Sequence, residues 1–254
     1  MSAGTLAGLR VLVTRPAHQA APLLGMLEAA GAIAHSLPLL AIAPPQDPAA
    51  ARAALRAHGD ADLWLFTSAN AVEGAMALHP ENWPRRLLAL GQGSARALAR
   101  YGHVAMAPEG GRSEDLLQWP ELKAVQGQRI LIVTGEGGRR LLVDTLTARG
   151  ARVAQACCYR RERVTHAPAE VAQALADSEV LVLTSGEALE ALLALAPVET
   201  LTARTLLLPS PRVAAAARAA GFGGPILLPA AVSDAALVSR LEQWQRAPHN
   251  DCPQ

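Results

Sequence analysis

FTSANAVEGAMAL (66–78) and LTSGEALEALLAL (183–195) agree at six of thirteen aligned positions, and both read as a strand end, a Thr-Ser turn and the opening of a helix. The pair falls at the same point in each, Thr67-Ser68 and Thr184-Ser185. The echo extends in both directions. VLVTRPAHQAAPLLGMLEAAGA (11–32) matches LIVTGEGGRRLLVDTLTARGA (131–151), with Thr14 on Thr134 and Gly31 on Gly150. ALGQGSARALARYGHVAMAPEGGRSEDLL (89–117) matches LLPSPRVAAAARAAGFGGPILLPAAVSDAAL (207–237), with Gly102 on Gly221 and Ser113 on Ser233. The offsets run only from 117 to 120. The chain therefore holds two copies of one unit of ~115 residues, a duplication rather than a solenoid.

The composition of the unit sets its class. LRVLV (9–13), DLWLF (62–66), RLLAL (86–90), RILIV (129–133), EVLVL (179–183) and TLLL (205–208) are short apolar runs without alternation. Such runs fit strands of a parallel sheet covered by helices on both faces. Helix-period stretches at 20–30, 94–101, 140–149 and 211–220 lie between them, followed by Gly31, Gly102, Gly150 and Gly221. Glycine after the last turn takes the left-handed conformation without a Cβ clash. Strand, helix, glycine, strand is the grammar of an α/β fold.

Bulk properties leave room for this and narrow the setting. With 254 residues, 51% hydrophobic and 18% charged, the chain suits one large or two small globular domains. No window approaches eighteen uncharged apolar residues, and the apolar run near the N-terminus is too short for a signal peptide, so a cytoplasmic protein without membrane association is expected. The net charge of +1 offers no global attraction to nucleic acid. Lys123 is the only lysine; arginine suits carboxylate and phosphate recognition, although a GC-rich genome produces the same bias. Cys157, Cys158 and Cys252 form no C-x-x-C pair and read as free thiols.

Ligands of open parallel sheets bind beyond the carboxyl ends of the strands. Those ends carry Thr14-Arg15, Thr67-Ser68 with Asn70, Gly91 with Ser94, Gly135 with Gly137 and Arg139, Thr184-Ser185, and Ser210 with Arg212. Each opens a helix, where free N–H groups and the dipole favour an anion. Any one Ser or Thr also suits plain N-capping. Six such ends across two copies, three with an arginine, point to an anion-lined cleft for a substrate with several carboxylates or phosphates.

Several chemistries find no motif. GEGGRR (135–140) matches neither the dinucleotide fingerprint nor a phosphate-binding loop. The histidines at 18, 35, 58, 79, 103, 166 and 249 are dispersed, with no H-E-x-x-H, so no metal is expected. There is no G-x-S-x-G elbow. The chain is then an enzyme working without cofactor or metal, or a non-catalytic bilobal binding protein for an anionic metabolite.

VLVTRP (11–16), LEAAGA (27–32) followed by LPLLAI (37–42), FTSANAV (66–72), LGQGSARAL (90–98), IVTGEGGRRLL (132–142), RGARV (149–153) with Tyr159-Arg160-Arg161, LTSGEAL (183–189) and LPSPRVAAAARAAGF (208–222) stand in the order of one family. The sequence resembles the uroporphyrinogen-III synthases over about residues 9–245. Ser94 stands where threonine is common in that family, and 209–212 replace a glycine turn; both keep a hydroxyl. The resemblance implies two similar parallel-sheet, flavodoxin-like domains joined by a two-stranded linker. Domain 1 would be 1–36 with 165–246, domain 2 would be 45–156, the hinge linker 37–44 with 157–164, and 247–254 a flexible tail. It also implies a cofactor-free monomeric lyase that cyclises hydroxymethylbilane, an octacarboxylate handed over by the preceding deaminase, and inverts the last ring. Tyr159 aligns with a linker tyrosine proposed to assist loss of the hydroxyl, and the strand-end residues above would hold the carboxylates, with Ser68 and Ser185 facing across the cleft.

Overall fold

The computed structural model describes residues 4–108, 112–138 and 140–247. In chain order these form β1 (Arg10–Val13), α1 (Ala17–Ala29), β2 (Ile33–Ser36), β3 (Leu40–Ala43), α2 (Pro48–Ala57), β4 (Leu63–Phe66), α3 (Ala69–Ala77), β5 (Leu87–Ala89), α4 (Gln92–Arg100), α5 (Ser113–Leu116), α6 (Pro120–Lys123) and β6 (Arg129–Gly135). There follow α7 (Leu141–Ala148), β7 (Arg152–Arg163), α8 (Pro168–Ala176), β8 (Val180–Val182), α9 (Gly186–Leu195), α10 (Val198–Leu201), β9 (Thr205–Leu207), α11 (Pro211–Ala219), β10 (Ile226–Leu227) and α12 (Asp234–Arg246). The chain divides into two compact units, Met1–Ala41 with Glu162–Gln254, and Ile42–Arg161.

The first unit is built on a sheet of order β10-β9-β8-β1-β2, with every neighbouring pair parallel. Counted along the unit this is 2-1-3-4-5 read from the β2 edge, the flavodoxin-like order. The strands are apolar at successive positions because both faces are covered. Val11 and Val13 join one buried cluster with Leu23, Leu27 and Leu241. Leu12, between them, joins another with Leu189, Leu192 and Phe222.

The second unit has the order β3-β7-β6-β4-β5, with β7, β6, β4 and β5 parallel. Trp64, Phe66, Leu131 and Val133 face one cluster and Leu63, Leu65, Ile130 and Ile132 the other. Met106 makes a single parallel bridge to Leu88, where the first unit has β10 beside β9. Counted from β6, the second sheet thus repeats the order of the first counted from β1, with the two halves of each copy exchanged between units.

Helix ends follow local chemistry. Ser68, Ser185, Ser210 and Ser233 accept the third backbone N–H of α3, α9, α11 and α12, which satisfies one orphan donor each. Gly31, Gly102, Gly150 and Gly221 have φ of 93°, 82°, 84° and 93°, as expected of helix-terminating glycines.

Candidate active site

Because the paired strands are parallel, the turns after adjacent strands lie along one edge of each sheet. In the second unit β4 leads on to β5 and β6 leads to β7 in the opposite direction, so the sheet reverses between β4 and β6. Such a reversal opens a crevice beyond the carboxyl ends. Thr67 and Ser68 follow β4, and Thr134 and Gly135 end β6. Thr67 Oγ1 donates to Thr134 Oγ1 at 3.0 Å.

Tyr159 enters this corner from β7. The register between β6 and β7 shifts between Thr134 and Gly135, and Gly135 stands opposite Tyr159. The ring lies on the glycine: a Cβ at Gly135 would come within 2.5 Å of Cζ and 2.8 Å of Cε1. Tyr159 is only 3% exposed. Its hydroxyl lies 3.1 Å from Ser68 Oγ and accepts from Arg161 Nη2 at 2.9 Å. The Arg161 guanidinium also sits 5.2 Å from the ring centroid, within cation–π range. Ser68 Oγ accepts the Ala71 N–H at 3.1 Å as well. One hydroxyl therefore caps α3 and meets the phenol.

The other predicted residues of this unit occupy the same edge. Asn70 is partly exposed in the first turn of α3. Gly91 is the cap residue before α4, with no side-chain hydrogen bond, and Ser94 is buried in the first turn at 6% exposure. Gly137 takes φ 73° in the turn after β6. Arg139 lies outside the described residues. Beneath this edge, burial raises the Cys157 thiol, with Glu136 adding to the effect.

In the first unit the sheet reverses between β1 and β8, and the predicted residues again flank the reversal. Two of them are engaged internally, which the sequence did not indicate. Thr14 is 2% exposed and its Oγ1 donates to the Val182 carbonyl at 2.8 Å, tying β1 to β8. Arg15 forms a largely buried ion pair with Asp234 in the first turn of α12, where an acid also complements the helix dipole. Thr184 is half-buried and has no side-chain hydrogen bond among the described residues. Ser185 caps α9 at 3.1 Å and Ser210 caps α11 at 3.4 Å. Arg212 is exposed and has no ion pair or hydrogen bond among the described residues; its Nη2 lies 3.9 Å from where a Cβ on Gly186 would stand. Its guanidinium thus lies beside the first residue of α9.

Arg161 is not among the site residues that the sequence singles out. Its signal is the period of two along a strand, which places Tyr159 and Arg161 on one face. Among the described residues no group of three or more His, Cys, Asp or Glu could hold a metal ion, and no helix is long and apolar enough to cross a membrane.

The family model of uroporphyrinogen-III synthase HemD matches residues 21–238. The uroporphyrinogen-III synthase of Escherichia coli is 39% identical over 198 residues, covering 74% of this chain and 80% of that protein. That of Salmonella typhimurium is 37% identical over the same shares. A mutant uroporphyrinogen III synthase from the extremely thermophilic bacterium Thermus thermophilus superposes with a TM-score of 0.62 at 25% identity, covering 94% of this chain and 98% of that one. The Helicobacter pylori uroporphyrinogen-III synthetase, 18% identical with a TM-score of 0.62 over 93% and 99% of the two chains, shares the fold. The chain belongs to the uroporphyrinogen-III synthase family.

Proposed function

We propose that the chain closes hydroxymethylbilane, a linear tetrapyrrole bearing eight carboxylates, to uroporphyrinogen III with loss of water. The observation that carries this reading is the Tyr159 hydroxyl, held by Ser68 and Arg161 at the strand edge where helix N-termini open. The bilane can expel its terminal hydroxyl through the lone pair of the adjacent pyrrole nitrogen once that oxygen is protonated. Attack by the substituted carbon of ring D gives a spiro-pyrrolenine, whose fragmentation and reclosure invert that ring. A proton donor and a fixed substrate shape are what this chemistry asks of a protein.

Tyr159 supplies the proton. Carboxylates of the substrate are received by the opening turns of α3, α4, α9 and α11, through Ser68, Asn70, Gly91, Ser94, Thr184, Ser185, Ser210 and Arg212, by Gly135 at the end of β6, and by Gly137 and Arg139 after it. Thr67, Thr14 and Arg15 shape these turns from behind. Free N–H groups at helix starts support this reading, as does the unengaged Arg212 cation.

Unaided closure gives the symmetric isomer I, so the product ratio decides. The chain is supplied with hydroxymethylbilane, the products are oxidised, and the isomers are separated. Isomer III rising with enzyme concentration is expected. Isomer I alone at every concentration rejects the synthase and leaves a non-catalytic binding protein.

A further inference from the structure

The hydrogen bonds around Tyr159 have a direction. A guanidinium has five N–H donors and no acceptor, so in the 2.9 Å contact with Arg161 the phenol oxygen accepts. Either oxygen can donate in the 3.1 Å contact, and the Arg161 N–H, by occupying a phenol lone pair, favours the arrangement in which the phenol donates to Ser68 Oγ. That oxygen also accepts from Ala71 N–H at 3.1 Å, which fills both of its lone pairs. The Ser68 proton is then directed at none of these three groups. Tyr159 is 3% exposed, whereas Ser68 is half-buried. Ser68 is the more accessible member of the pair. The other copy of the turn has the cap without the relay: Ser185 Oγ accepts from Ala188 N–H at 3.1 Å and meets no phenol among the described residues.

We infer that Ser68 hands the proton to the leaving hydroxyl of the substrate, in a relay from Tyr159 whose direction Arg161 fixes. This deepens the proposed synthase reading and rests on it. As the terminal C–O bond breaks, its electron pair leaves with oxygen and the pyrrole nitrogen lone pair forms the exocyclic double bond. The oxygen takes the Ser68 proton and departs as water, Ser68 takes the Tyr159 proton, and the Arg161 guanidinium holds the resulting phenolate. The carbon that recloses the ring later loses one proton, which returns through Ser68 to the phenolate. Protons and electrons balance over the cycle without a co-reactant. Arg161 is a positioning residue, because it acts through Tyr159.

The test is a single-turnover measurement of isomer III formation by the intact chain, in water and in mixtures with heavy water. Ser68→Thr keeps both cap and hydroxyl and is expected to hold the rate within about threefold, while Ser68→Asn keeps a cap but has no hydroxyl and loses at least about tenfold in the rate at saturating substrate. Arg161→Lys, still a donor-only cation, recovers most of the rate that Arg161→Met loses. The wild-type rate bows downward against deuterium fraction, as two protons in flight require, and the Ser68→Asn rate falls linearly. A Ser68→Asn chain with wild-type rate and a bowed plot overturns the relay. A wild-type chain that yields isomer I alone overturns the synthase reading instead.

Discussion

Gly135 and Tyr159 occupy space that only a glycine and a flat ring can share, since a Cβ at position 135 would stand 2.5 Å from Cζ of the ring. The glycine is required by close approach and not by backbone conformation, as its φ is not in the left-handed region. Gly135→Ala must push the ring away from Ser68 and Arg161. The expected result is at least a tenfold loss in the rate of isomer III formation, with about 1–3 kcal/mol lost from stability through overpacking. Tyr159→Phe alone is expected to cost tenfold or more, about 1.4 kcal/mol in the barrier. Adding Gly135→Ala to Tyr159→Phe should then cost little further rate, and a fully additive loss would show that the glycine acts elsewhere.

Arg15 is engaged by Asp234, and its side chain is 11% exposed. An arginine so placed is expected to support the opening of α12. Asp234→Asn should lower the unfolding free energy, read from urea titrations, by about 1–2 kcal/mol through the lost charged hydrogen bond and the first-turn acid. Arg15→Gln should cost a similar amount, and the double variant less than the sum by at least about 0.5 kcal/mol. If Arg15→Gln weakens substrate binding without changing stability, Arg15 belongs to the ligand and the pair is incidental.

The reach of the sequence had a physical limit. Strands buried on both faces announce themselves, and the runs at 9–13, 62–66 and 129–133 became β1, β4 and β6. The edge strand β2, Ile33–Ser36, was not legible as a strand because it buries little, with Ile33 at 49% exposure. Hydroxyls at strand ends were legible as a class. Sequence could not separate Thr14, which ties two strands, from Ser68, which meets the phenol. That difference depends on which strand lies alongside, and strand order is set by tertiary packing. The same limit hid Asp234, 219 residues from its partner Arg15.

Two helical glycines provide opposite predictions. Replacing glycine by alanine inside a helix ordinarily stabilises by about 0.5–1 kcal/mol. Gly25 in α1 has open space where a Cβ would go, whereas a Cβ at Gly74 in α3 would stand 2.3 Å from the Cys158 carbonyl oxygen. Gly25→Ala should raise the melting temperature. Gly74→Ala should lower it despite the better helix former, because α3 packs backbone against backbone on β7. Equal effects of the two substitutions would contradict this packing.

Cys158 lies under that same contact, 1% exposed, and burial, with Cys157 adding to it, pushes its thiol from 9.0 up to about 12. The thiolate is the reactive form, so in a Cys252→Ser chain Cys158 should resist iodoacetamide at pH 8 until the protein is unfolded in urea. The same shift makes stability depend on pH. Near pH 9 the unfolded chain releases this proton while the folded chain retains it to about 12. Between those values the folded state binds more protons, so its stability is full below pH 9 and falls as the pH rises, by an amount on the order of 4 kcal/mol at the upper end. Urea midpoints should therefore be flat from about pH 7.5 to 8.5 and decline above about 9. Cys158→Ala starts lower, having left a small cavity, but should decline less steeply, because the group responsible for the slope is gone. An unchanged slope in that variant would assign the alkaline loss to another titrating group and leave the Cys158 thiol without a part in it.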